Sequence, residues 1–206
     1  MARQTFFSFH YERDAWRAGQ VRNCNLLPTD DQHGFIDSVN WESIKRQGDD
    51  AIRRWINDQL KYTSVTVVLI GAETAERPWV QHEVFQSWNR GNGIVGIRIH
   101  NIKDQSQNGD AAGRNPFDMF NISTNTRLST VCRIYDWVLE DGRNNLGTWI
   151  EEAFRERSKY GSNVDLTYAS ESSKKIERVN ATPNIAAYKT FAPRSPWCAD
   201  SVKQDR

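Results

Sequence analysis

The sequence predicts an α/β fold of the flavodoxin-like kind: a central parallel five-stranded sheet flanked by helices on both faces, with a C-terminal extension. Three observations predict it. Short β-branched runs alternate along the chain with stretches of helical periodicity. One of those runs, SVTVVLIG at residues 64–71, is too apolar for a half-exposed strand and suits a central parallel strand covered on both faces. From about Ser158 the composition turns polar and the alternation stops.

Taken in order, residues 4–10 are aromatic and compact and read as a buried first strand. Residues 15–27 carry helical spacing at Trp16, Val21 and Leu26, and residues 34–39 form a short strand ending near Asp37. Residues 48–60 make a stronger helix. Ile52, Trp55, Ile56 and Leu60 share a stripe there, and Asp49 and Asp50 suit its positive N-terminal end. After the central strand, Pro78 fits the first turn of a helix reaching Asn89, and Gly91 and Gly93 stop it. Residues 93–100 are the next strand. A long polar loop, 101–129, precedes a last strand at 130–137 and a last helix at 145–157. This divides the chain into a domain at 1–158 and an extension at 159–206 that packs on the domain or reaches a neighbour. In open parallel sheets the ligand crevice lies at the carboxyl ends of the strands. Residues 8–13, 37–42 and 71–79, and those from His100 onward, are therefore the places to look for a site.

Composition narrows the function. Of 206 residues, 27 are Lys or Arg and 26 are Asp or Glu, so the net charge of +1 provides no bulk field for nucleic acid or an anionic membrane. Hydrophobic residues, at 38%, suffice for a core, while the mean hydropathy of −0.73 reflects the polar tail. Cys24, Cys132 and Cys198 are odd in number, widely spaced and free of any CxxC, which fits free thiols in a reducing cytoplasm. The N-terminus lacks the apolar run of a signal peptide, and nothing approaches the roughly 20 apolar residues of a membrane span. A cytoplasmic protein is expected.

Several chemistries lack their motif. There is no GxxxxGK[ST] loop. The GxGxxG spacing in GNGIVG precedes a strand instead of following one. The histidines His10, His33, His82 and His100 form no metal-ligand pattern, and Ser8 has no GxSxG elbow. What remains is Glu83, within RPWVQHEVFQSW at residues 77–88. It lies one helical turn after Trp79 and shares its face. A carboxylate beside an indole near the ligand edge of a sheet is a plausible catalytic acid. A solvated glutamate is the plainer alternative, and the residues alone leave both open.

The ordered segments resemble the TIR domain family. TFFSFHY is similar to its first, aromatic-rich strand, GFID to the end of the second, SVTVVLIG followed by WVQHEV to the third strand and the Trp-Val-x-x-Glu helix opening, and GIVGIRI to the fourth. FFSFHYERDAWRAGQVRN, TSVTVVLIGAET, NPFD and RIYDWVLEDGRNNLGTWI further resemble the TIR-like branch of the bacterial Thoeris anti-phage system. The resemblance spans residues 3 to about 157. It departs from the usual TIR pattern after Asp37, where the loop signature that governs self-assembly is missing, and in the enlarged 101–129 loop.

That resemblance implies an NAD-consuming enzyme that cleaves the nicotinamide–ribose bond. It implies Glu83 as the catalytic residue and Phe6, Ser8, Asp37 and Trp79 as substrate-binding residues, with Arg13 or Arg22 as candidates for holding pyrophosphate. NAD is substrate, so no separate cofactor or metal is implied. The expected product is a cyclic ADP-ribose isomer or related conjugate that activates a partner effector protein, with a homo-oligomer as the active form. A plain NAD hydrolase and a non-catalytic interaction module are the alternatives.

Overall fold

The computed structural model describes residues 3–24, 43–160 and 166–169. Its main elements are β1 (Thr5–Ser8), α1 (Tyr11–Arg22), α2 (Asp49–Lys61), β2 (Val65–Ile70), α3 (Pro78–Asn89), β3 (Gly93–Arg98), β4 (Phe120–Ser123), β5 (Thr126–Arg127), β6 (Ile134–Asp136), α4 (Gly142–Glu156) and β7 (Thr167–Tyr168). β1, β2, β3 and β6 form one sheet in that order, parallel throughout. Val65 pairs with Thr5 on one side and Gly93 on the other, so β2 is central, and all six of its residues are buried. The continuous apolar run is thereby accounted for: both faces are covered.

Alternation along the strands sorts the core. Val65, Val67 and Leu69 face a cluster made with Ala18 and Val21 of α1 and Leu146, Trp149 and Ile150 of α4. Val68 and Ile70 face the other way, onto Val80 and Val84 of α3. Phe6 of β1 packs with Ile52, Ile56 and Leu60 of α2. Gly93 lets α4 approach β3 closely, since a Cβ there would lie 2.5 Å from the Ala153 carbonyl oxygen.

The structure departs from the expected elements in three places, and one expected element is not among the described residues. The strand expected at 34–39 lies outside the described residues, and the described sheet has four strands. α1 starts at Tyr11, earlier than expected, with Glu12 and Asp14 in its positive first turn, and Trp16 of the expected stripe is 42% exposed while Val21 is buried. The 101–129 segment is not a bare loop. It holds a short 3₁₀ turn at Pro116–Met119 and the β4–β5 hairpin, and β7 from the extension adds antiparallel to β4. Its scattered apolar residues Phe117, Phe120, Ile122 and Leu128 are all buried against α3's cluster, which a reading of average polarity overlooks. Leu128–Thr130 winds into another 3₁₀ turn, so β6 is shorter than the predicted strand. Among the described residues no helix is long and apolar enough to cross a membrane.

Candidate active site

α3 carries the candidate carboxyl. Pro78 occupies its first turn, where a missing N–H costs nothing, and Arg77 is the N-cap. Val80 and Val84 point into the core, which turns Glu83 and Ser87, one turn apart, toward the sheet. Ser8, the last residue of β1, donates from Oγ to Glu83 Oε2 at 2.5 Å. Ser87 Oγ donates to the Glu83 carbonyl oxygen at 2.7 Å, and the Ser87 and Thr66 hydroxyls lie 2.7 Å apart within the core. A chain of buried hydroxyls thus ties the Glu83 turn to β2, while Ser8 holds the carboxyl itself.

Glu83 is 7% exposed. Burial pushes its pKa up to about 8, with the Ser8 hydrogen bond pulling the other way. Its surroundings therefore favour a carboxyl that holds its proton near neutral pH, and a positive charge brought close to it would favour the ionised form. Trp79, half-buried one turn earlier, flanks the Phe6 cluster. Its ring meets His82 edge-on, with centroids 6.0 Å apart, and the Arg53 guanidinium lies 5.7 Å from its centroid. A groove of about 350 Å³ lined by residues 129–135 includes none of these residues. The thiol in its lining, Cys132, has its pKa raised by burial.

With that geometry in view, similarity to known proteins decides the family. Residues 6–104 match the family described as "Thoeris protein ThsB, TIR-like domain". A protein of Bacillus cereus (strain MSX-D12) named "Putative cyclic ADP-D-ribose synthase ThsB1" is 33% identical over 191 residues, covering 73% of this chain and 100% of that protein. The chain belongs to the Thoeris ThsB family of TIR-like proteins.

The residues implied by the resemblance fall as follows. Glu83 and Ser8 are in direct contact, and both lie within the family match. Phe6 is 1% exposed, sunk among the α2 side chains with Trp79 at the edge of the same cluster. Asp37 lies outside the described residues. Arg13 is engaged: it holds Asp110 through two bonds of 3.0 and 2.9 Å and Glu73 at 3.0 Å. Arg22 is in the last turn of α1, at the opposite end from the first turn that follows β1. Among the described residues no three His, Cys, Asp or Glu side chains gather as a metal site would require.

Three further charged or titratable side chains near the strand ends, none of them assigned a role from the sequence, are buried in part or whole. His10, the N-cap of α1, is 8% exposed, and neither ring nitrogen has a hydrogen-bond partner. Burial lowers its pKa to about 4, helped by the Arg77 charge. Asp14 is fully buried, and both its carboxylate oxygens lack a hydrogen bond. Burial raises it to about 6 against the pull of Arg17, 3.8 Å away. Arg77 is held by Glu73, while its Nε is buried without a partner. His10 and Arg77 fall within the strand-end stretches singled out for inspection; their burial is what the sequence did not reveal.

Proposed function

We propose that this protein consumes NAD, breaking the bond between nicotinamide and ribose, and that Glu83 carries the reaction. The observation that supports this reading most is that the Glu83 carboxyl is buried at the carboxyl-terminal edge of a parallel sheet and held by the hydroxyl of Ser8. Nicotinamide departs with the electron pair of the C–N bond and leaves an oxocarbenium-like ribose, a cation that a carboxylate stabilises. The positive nicotinamide ring of the substrate itself favours the ionised form of Glu83. Trp79 provides the aromatic wall for that ring, with Phe6 behind it, and Asp37 completes the ribose contacts.

Capture of the cation by a nitrogen or hydroxyl of the same molecule gives a cyclic ADP-ribose isomer, and capture by water gives ADP-ribose; an attacking hydroxyl or water releases its proton. The name of the Bacillus relative favours the cyclic outcome. The product then signals to a separate effector in anti-phage defence, and the active form is a homo-oligomer. The test is incubation of the wild type and Glu83→Gln with NAD and lysate from phage-infected cells, followed by mass spectrometry. Free nicotinamide with a cyclic or conjugated ADP-ribose from the wild type, and a loss of about 100-fold or more in Glu83→Gln, is expected. Linear ADP-ribose alone makes the protein a hydrolase. Intact NAD in both reactions makes it an interaction module.

A further inference from the structure

We infer that His10 and Arg77, with the N-termini of α1 and α3, form a cradle for the pyrophosphate of the dinucleotide, an inference that rests on the NAD reading above. Both helices are twelve residues long, and neither has a side chain capping its N-terminus. α1 begins at Tyr11, shortly after β1 ends at Ser8, and α3 follows β2 through a 3₁₀ turn at Thr74–Glu76, so both helix N-termini lie toward the carboxyl edge of the sheet, where Ser8 holds Glu83. The two N-cap residues are His10 and Arg77.

Both present donors that nothing in the described protein satisfies. His10 is more than nine-tenths buried and neither ring nitrogen is partnered; Arg77 Nε–H is buried and also unpartnered. Buried donors without acceptors are uncommon and point to an acceptor brought by a ligand. The Arg77 charge also lowers the pKa of His10, so the two lie within electrostatic reach of one another. Glu73 grips Arg77 through one terminal nitrogen and orients the guanidinium while leaving Nε free.

The chemistry fits an anion with several acceptor oxygens. Arg77 brings a charge and an N–H, and neutral His10 brings one N–H without adding a second charge to desolvate. Along the axis of α3, Arg77 at its start stands six residues before Glu83, a rise of about 9 Å. Arg13, the more obvious candidate in the sequence, spends Nε and both terminal nitrogens on Asp110 and Glu73, whereas Arg77 bonds Glu73 through one terminal nitrogen and keeps its Nε–H open.

The experiment measures binding by calorimetry in a Glu83→Gln background, so that ligand is not consumed. NAD is compared with nicotinamide riboside, which keeps the scissile bond and lacks the pyrophosphate. Arg77→Gln and His10→Gln are expected to weaken NAD binding by about tenfold or more and to change nicotinamide riboside binding by less than about twofold. Arg77→Lys should recover part of the NAD affinity by restoring the charge. Equal weakening of both ligands, or NAD binding unchanged in Arg77→Gln, overturns the cradle and leaves the NAD reading standing. Binding of neither ligand by the parent overturns the NAD reading, and the cradle with it.

Discussion

At the scale of single residues, the site rests on one hydrogen bond in a desolvated place. Burial lifts Glu83 to about 8, and the Ser8 hydrogen bond opposes that rise. If the protein cleaves NAD as proposed, ionised Glu83 is the form that stabilises the developing cation, and kcat/KM for NAD should rise with pH toward a plateau above about 8. Ser8→Ala removes the bond that favours the charged form. The midpoint of that profile should move to higher pH by about one unit, since a hydrogen bond to a charged group contributes about 1.5–3 kcal/mol. A pH–rate profile of the variant checks this, and an unmoved midpoint would mean that Ser8 does not tune the reacting carboxyl. The Trp79–Glu83 spacing was plain in the sequence because a one-turn separation is a property of any helix. The Ser8 contact was not, because it joins residues 75 positions apart. The same holds for Phe6, whose aromatic character is visible in the sequence while its complete burial against α2 is not.

At the scale of elements, α3 is anchored on nearly every side, which explains why a helix bearing the site is so apolar. Val80 and Val84 enter the core, Ser87 bonds through Thr66 to β2, and Trp79 and His82 pack at its first turns. The outer side is covered by the extension. Tyr168 of β7 stacks on Phe85 with ring centroids 5.7 Å apart and planes 1° from parallel, and Leu166, 4% exposed, joins the cluster of Val80 and Val84. Residues 166–169 thus act as a strap over the helix that holds Glu83. Leu166→Asp puts an unpaired charge in that cluster and should destabilise the fold by about 3 kcal/mol or more. Tyr168→Ala should cost about 2 kcal/mol through the lost ring. Thermal unfolding measures both, and faster amide hydrogen exchange in α3 would show that the strap holds that helix. The sequence marked residues beyond 158 as polar. The two or three apolar side chains that dock were invisible in the average, because burial depends on which residues β4 brings opposite them.

At the scale of the whole molecule, residues 101–118 close against the sheet edge. Arg17 donates to the Ile102 carbonyl at 2.9 Å, Arg13 grips Asp110, and Gly113 comes so near β2's end that a Cβ would lie 1.9 Å from the Gly71 carbonyl oxygen. The buried carboxyl links this assembly to pH. A carboxyl whose pKa is raised by folding contributes its stability in full below its unfolded value, near 4.5, and loses it as pH climbs through about 8. Glu83→Gln lacks that loss. Its stability relative to the wild type should therefore increase between about pH 4.5 and 8, by on the order of 1 kcal/mol or more, and level off above. Paired thermal melts across that range test the sign, and a constant difference would place the Glu83 pKa at its ordinary value.

By itself the sequence determined the alternating α/β order, the central strand, the limits of α3 and the identity of its glutamate. These rest on local periodicity, proline and glycine positions and the spacing within one helix, all set by neighbours in the chain. Only the tertiary structure decided that Glu83 is buried and meets Ser8, that Arg13 is occupied while Arg77 Nε is free, and that the tail returns to cover α3. Each of these depends on groups distant in the chain being brought together. Whether a charged side chain is solvated, paired or left with an open donor is set by that meeting and not by its own identity.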